Sequence, residues 1–135
     1  MSLFGALPIA TTGIDAAQTW IDATGGNIAN ADDSGPTSQG TYATQYVDAV
    51  PIASTEPNGA GQGVVTGVVL GSNEGEEVYD PGNPEADSQG MIRVANVDLG
   101  QQMVNLVMAQ TSYQANVSVV NQAKTAYESA LTLGS

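Results

Sequence analysis

The sequence predicts an α+β fold, with long N- and C-terminal helices packed as a coiled-coil-like pair and a small antiparallel β-containing middle domain. Three observations carry this. Near the C-terminus, Leu99, Met103, Leu106, Gln110, Tyr113, Val117, Val120, Lys124, Tyr127 and Leu131 recur at alternating spacings of four and three. That is a heptad-like seam rather than the stripe of a compact core helix. Near the N-terminus, Ile9, Gly13, Ala16, Trp20, Ala23, Asn27 and Asn30 repeat the same rhythm. Between them lies a stretch rich in glycine, acid and turn residues, broken by short β-branched runs. The expected divisions are an N-terminal assembly helix over 1–30, a loop and β-rich middle over 31–95, and a C-terminal assembly helix over 96–135.

The first helix is expected from about Leu3 to Asn30, with Ile14, Ala17, Ile21 and Ile28 beside its stripe. Its residues are mostly small, so each buries little area and the seam must be long or shared among chains. Gly13, Gly25 and Gly26 lower its intrinsic stability, by roughly 1 kcal/mol each in a helix interior. The Gly25-Gly26 pair predicts a kink or an early stop. From Asp32 to Gly40 glycine, proline and short polar side chains read as a turn or loop. Thr41–Ile52 alternates, with Tyr42, Tyr46 and Val50 on one face and Ala43, Val47 and Ala49 on the other, and is expected to be a strand. Pro57-Asn58-Gly59 marks a turn. Val64–Leu70 is a second strand, in which Gly67 suggests a bulge or a close backbone approach. Glu76–Tyr79 is a short strand, Asp80-Pro81-Gly82-Asn83-Pro84 a rigid turn, and Met91–Val94 the strand that closes a small sheet.

The last helix opens on Asp98 as N-cap, with Gln101 three residues on as in a capping box. Gly134 stands where a C′ glycine belongs. A helix from Leu99 to Leu131 is roughly 50 Å long, whereas a compact chain of this length has a radius of gyration of roughly 14 Å. It therefore projects and needs a partner along its length. Only Lys124 and Glu128 are charged within it. A back of Gln, Asn, Ser, Thr and Ala favours packing on several sides.

Composition excludes several functions. Fourteen acidic residues stand against two basic ones, Arg93 and Lys124, giving a net charge of −12. Phosphate backbones and anionic membranes have almost nothing to bind. There is no histidine and no cysteine, which removes the usual general base, the Ser-His-Asp triad, thiol nucleophiles and disulfides. No stretch is long and apolar enough to enter a membrane. The start lacks a basic n-region and meets Asp15 early, so no cleaved signal peptide is expected. The acidic loop with Asp80, Asn83, Glu85 and Asp87 does not match EF-hand spacing. Gly59, Gly61 and Gly63 alternate without a P-loop lysine. Asn116-Val117-Ser118 fits the glycosylation pattern but falls in mid-helix. No metal, cofactor or catalytic residue is expected, and the chain is not expected to be an enzyme.

Asn27-Ile28-Ala29-Asn30-Ala31 resembles the motif closing the N-terminal helix of bacterial flagellar rod, hook and related axial proteins. Tyr113-Gln114-Ala115-Asn116, followed by Leu131-Thr132-Leu133-Gly134, resembles their matching C-terminal helix. The stretch Val78–Asp87 with Gly90, then Asn96-Val97-Asp98, is similar to a proximal rod member of that family. The resemblance implies a subunit of the flagellar basal body, exported through the type III apparatus without a cleaved signal and assembled in the periplasm around a central channel. It implies as partners copies of the chain, other proximal and distal rod proteins, and basal ring and export components. The rod would transmit motor torque toward hook and filament.

In that frame Ile9, Ala16, Trp20, Asn27, Asn30, Leu106, Tyr113, Asn116, Val117, Val120, Tyr127 and Leu131 are the expected assembly residues. Asp80, Pro81, Gly82, Pro84 and Asp87 form an expected rigid elbow between the middle domain and the returning chain. Two other classes fit less of the sequence. One is a monomeric helical hairpin that binds a protein partner. The other is a small metal-dependent hydrolase using loop 80–87.

Overall fold

A computed structural model describes residues 3–54 and 61–133. The expected turn at Pro57-Asn58-Gly59 and the expected C′ glycine Gly134 lie outside them. Helix α1 spans Leu3–Ala29 and helix α2 spans Leu99–Leu133. Between them come β1 (Ser34–Pro36), β2 (Gln45–Pro51), β3 (Val64–Leu70), β4 (Glu76–Tyr79) and β5 (Met91–Val94).

The helices pair antiparallel. Near one end Asn27 of α1 bonds Gln102 of α2, and further along Gly13 faces Asn116. A Cβ at Gly13 would lie 2.7 Å from Asn116 Oδ1. Glycine here lets the two backbones approach, which offsets its poor helix propensity. Pro8 sits inside α1, where it lacks the N–H that would bond one turn back.

α1 does not stop or break off at Gly25-Gly26; it runs through both to Ala29. Gly26 serves a different end. A Cβ there would meet the Tyr42 hydroxyl at 3.3 Å, so its small size admits the Tyr42 ring. The helix closes at Asn30, whose side-chain amide donates to Gly26 O at 2.8 Å.

The segment expected to be a plain loop contains β1, which pairs antiparallel with β5 (Ser34 with Val94, Pro36 with Ile92). The reason is tertiary. Asp33 O accepts Ala95 N at 2.9 Å, and Asp33 Oδ2 accepts Tyr42 N at 2.8 Å, so this one residue ties the chain to both neighbours. β5 also pairs with β4, giving the order β1-β5-β4. β2 and β3 form a separate two-stranded antiparallel hairpin. The expected single small sheet is therefore two.

Gly67 neither bulges nor meets another backbone. Its register with Asp48 is unbroken, and nothing lies within 4 Å of where its Cβ would be. Asp98 caps α2 as expected, its Oδ1 accepting Gln101 N at 2.9 Å. Gln101 Nε2 bonds Asn105 Oδ1 instead of closing the capping box.

The apolar core among the described residues is Ala10, Ala17, Ala23, Ala95, Ala109, Ala123 and Ile92. Six of these seven are alanine, so little area leaves water per residue. The chain exposes 8673 Å², against about 6,600 Å² for a compact protein of its mass.

Candidate assembly interface

The seam between the helices runs through Ala6, Ala10, Gly13, Ala17, Trp20, Thr24 and Asn27 on α1 and Gln102, Leu106, Ala109, Tyr113, Asn116, Val120 and Ala123 on α2. All are buried or half-buried. Both sets keep the four-three spacing, but they share only alternate positions with the stripes the apolar spacing marks. Gly13, Trp20 and Asn27 are common on α1, and Leu106, Tyr113 and Val120 on α2. Leu99, Met103, Gln110, Lys124 and Leu131 are exposed. In the seam, small residues such as Ala10, Ala17, Ala109 and Ala123 are fully buried, while the larger Trp20, Leu106, Tyr113 and Val120 are half-buried.

At the end of this seam Asn27 is buried to 1% exposure with every hydrogen-bonding position of its amide used. Nδ2 donates to Gln45 O at 2.8 Å and to Gln102 Oε1 at 3.0 Å. Oδ1 accepts Gln45 N at 2.7 Å and the Tyr42 hydroxyl at 3.1 Å. One amide thus joins the end of α1, the start of β2 and the start of α2. Spacing alone points to Asn27 but carries no sign of Tyr42, Gln45 or Gln102 as its partners.

The β2–β3 hairpin lies on α1. Thr12 Oγ1 accepts Val64 N at 3.2 Å, and the Thr19 and Thr66 hydroxyls meet at 3.4 Å. Gly63, at φ +112°, leaves room only for the Thr12 side chain. A groove of about 350 Å³ opens where the hairpin, α1 and α2 converge, and Ala16 and Trp20 line it. Tyr113 and Val117 edge a shallow trough along α2.

The remaining assembly candidates are spread along the helices. Ile9, Asn116 and Val117 are half-buried and Asn30 is exposed. Tyr127 and Leu131 are 47% and 56% exposed.

Loop 80–87 is the connection of the β4–β5 hairpin rather than a link to the returning chain. Asp80 N donates to Gly90 O at 2.9 Å, and Asp87 N to Met91 O at 2.9 Å. Asp87 Oδ1 accepts Gln89 N at 2.8 Å and Met91 N at 3.0 Å, while Oδ2 accepts the Thr37 hydroxyl at 3.0 Å. The backbone bond from Met91, then that from Gln89, holds this carboxyl below its ordinary range. Gly90, at φ +78°, makes the reversal that only glycine adopts without strain. Pro81 packs against Gly90. Among the described residues no three acidic side chains are placed to hold a metal ion. None of the described helices is long and apolar enough to cross a membrane.

Large apolar side chains stand exposed on two separate surfaces. On α2, Leu99, Met103, Val104, Val107 and Met108 are between 41% and 63% exposed. On the hairpin, Tyr46, Val50, Val65 and Val69 are between 55% and 59% exposed. Monomeric soluble proteins rarely expose large contiguous apolar patches.

Comparison with known proteins agrees with this geometry. Residues 88–133 match the family model described as the C-terminal region of the flagellar basal body rod FlgEFG proteins. The flagellar basal-body rod protein FlgC of Salmonella typhimurium is 39% identical over 136 residues, covering 99% of each chain. FlgC of Yersinia enterocolitica is 37% identical with 99% coverage of both chains. FlgC of Borreliella burgdorferi is 32% identical over 149 residues, with 98% of each covered. Near-complete coverage at these identities, on a chain with long N- and C-terminal helices, places it in the FlgC family of flagellar basal-body rod proteins.

Proposed function

We propose that this chain is a structural subunit of the proximal rod of the bacterial flagellar basal body. It polymerises around the export channel and passes motor torque toward hook and filament. Its partners are copies of itself, other proximal and distal rod proteins, and the basal ring and export components. It works in the periplasm, reached without a cleaved signal, and catalyses no reaction.

The observation that carries this reading is the imbalance between core and surface. The buried apolar set is nearly all alanine, while a dozen or more larger apolar side chains are exposed. Such a chain gains much of its order when neighbours cover that surface. Torque then crosses many small buried contacts rather than a single bond.

The test is incorporation. Tyr113→Asp in the seam and Leu131→Asp beyond it are each expected to lower the amount of chain in isolated basal bodies far more than the amount secreted. The Leu131 site is already exposed, so its variant separates assembly from folding of the single chain. Normal incorporation of both variants would overturn the proposal.

A further inference from the structure

The β2–β3 hairpin has full cover on neither face. No residue of β2 or β3 is buried. On the side of β3 that carries Thr66, Val68 and Leu70 are 47% and 64% exposed. On the other side Val65 and Val69, with Val50 and Tyr46 opposite them, are each more than half exposed. Yet β3 reads Val-Val-Thr-Gly-Val-Val-Leu, nearly apolar throughout. That pattern belongs to a strand buried on both faces, and a lone two-stranded ribbon is marginal in water. The hairpin also bridges a groove of about 350 Å³ instead of packing flat, with Val47, Ala49 and Thr66 on its own side and Ala16 and Trp20 on the side of α1.

Polar contacts hold it, and they are stronger at the base than toward the tip. At the base Asn27, buried to 1% exposure, accepts Gln45 N at 2.7 Å and donates to Gln45 O at 2.8 Å. Beside it Thr44 O accepts Gly71 N at 2.8 Å, and the Thr44 hydroxyl donates to Asn96 O at 2.9 Å. Midway the Thr19 and Thr66 hydroxyls stand 3.4 Å apart. Toward the tip Val64 N donates to Thr12 Oγ1 at 3.2 Å. These last two exceed the modal distance for their kind. From Asn27 to Thr12 α1 rises about 22 Å, which a seven-residue strand spans. The hairpin therefore lies along α1 and is firmly fastened at one end.

Resting on the rod reading, we infer that the β2–β3 hairpin is a strap, hinged at Asn27 and Gln45, that lifts off α1 when the chain enters the rod. The resting seat covers neither face of β3, so it is not the seat for which an apolar strand is suited. Leaving it breaks two long hydroxyl contacts and exposes little new apolar area. A segment with so few buried contacts opens at the low end of a protein's range of local stabilities. The hinge bonds stay, because parting them would strand a buried amide. Lifting bares the Thr12–Trp20 stretch of α1 and frees both faces of the hairpin in one movement. Meanwhile the Asn27 amide, which also bonds Gln102, keeps the base in register with both helices.

A reversible lock tests this. The chain has no cysteine, and Thr19→Cys with Thr66→Cys replaces two hydroxyls 3.4 Å apart, so a disulfide between the new thiols ties the strap down. Trp20 is the one tryptophan and lines the groove under the strap. In purified full-length chain, acrylamide quenching of its fluorescence is expected to drop when the pair is oxidised. It is expected to rise in Thr12→Val, which removes the tip contact at nearly constant size. In cells, the oxidised double variant is expected to be lost from isolated basal bodies and regained when dithiothreitol is present. Disulfide-locked chain in basal bodies at the parent level would overturn the strap. So would quenching that neither the lock nor Thr12→Val changes, or thiols that fail to bridge, since the resting seat on α1 would then be wrong. If the double variant stays out of basal bodies in both redox forms, quenching alone decides. Absence of the parent chain from basal bodies would overturn the rod reading and leave the quenching result standing.

Discussion

Asn27 illustrates how one side chain can set the geometry of a long molecule. Its amide is buried and satisfies both backbone groups of Gln45 as well as the Gln102 side chain. Asn27→Ala leaves those groups without partners in a partly buried site. The expected cost is about 2–4 kcal/mol, more than one ordinary hydrogen bond, because buried orphans carry their full desolvation penalty. Urea unfolding of the variant beside the parent chain measures it, and a loss below about 1 kcal/mol would remove Asn27 from this role. Asp87 offers a second check at this scale. Its carboxyl is held below the ordinary value of 3.8 by backbone N–H donors. A depressed carboxylate stabilises the folded loop above the unfolded value and loses that contribution as pH falls through the folded one. The amide resonances of Gln89 and Met91 are therefore expected to titrate with a midpoint below 3.8. A midpoint at or above that value would show that the bonds do not persist in solution.

Among the elements, the helix pair comes closest where its seam residues are small. Gly13 and Asn116 are the tightest instance, and a side chain at Gly13 collides with the Asn116 amide. That amide also donates to Ser112 O at 2.9 Å. Gly13→Val is expected to destabilise the chain by about 1–3 kcal/mol through overpacking. Adding Asn116→Ala should recover much of the loss, because the collision belongs to the pair. Thermal melts of the two single variants and the double variant test the coupling, and strict additivity would refute it. The same smallness explains the register of the seam. Apolar spacing points to Met103 and Leu131, but the helices close on Ala109 and Ala123 because alanine lets backbones approach.

The whole molecule exposes more surface than its mass requires, and its described apolar core is almost all alanine. Stability of the arms should therefore depend on neighbours. In hydrogen–deuterium exchange the backbone amides of α1 and α2 are expected to exchange faster in the isolated chain than in the assembled rod. Equal, strong protection in both states would favour a self-sufficient helical hairpin.

How much of this was legible in sequence varies with the range of the force involved. Heptad spacing, an Asp98 cap and a β-branched run at Val64–Leu70 are local patterns, and they marked both long helices, β3 and the start of α2. The motifs around Asn27 and Tyr113 marked the family. Composition ruled out histidine and thiol chemistry outright. Other features hang on contacts between residues far apart in the chain. β1 is held by Asp33 bonding Ala95 and Tyr42, and the missing side chain of Gly26 leaves room for the Tyr42 hydroxyl. The seam turned toward alanine through close approach, and the acidic loop proved to be a hairpin connection through Asp87 and Met91. Local spacing and capping are written in neighbouring residues, so the sequence by itself determined both helices and the existence of β2 to β5; β1, and which faces meet, depend on steric fit and hydrogen-bond partners across dozens of residues, and that only the tertiary structure decided.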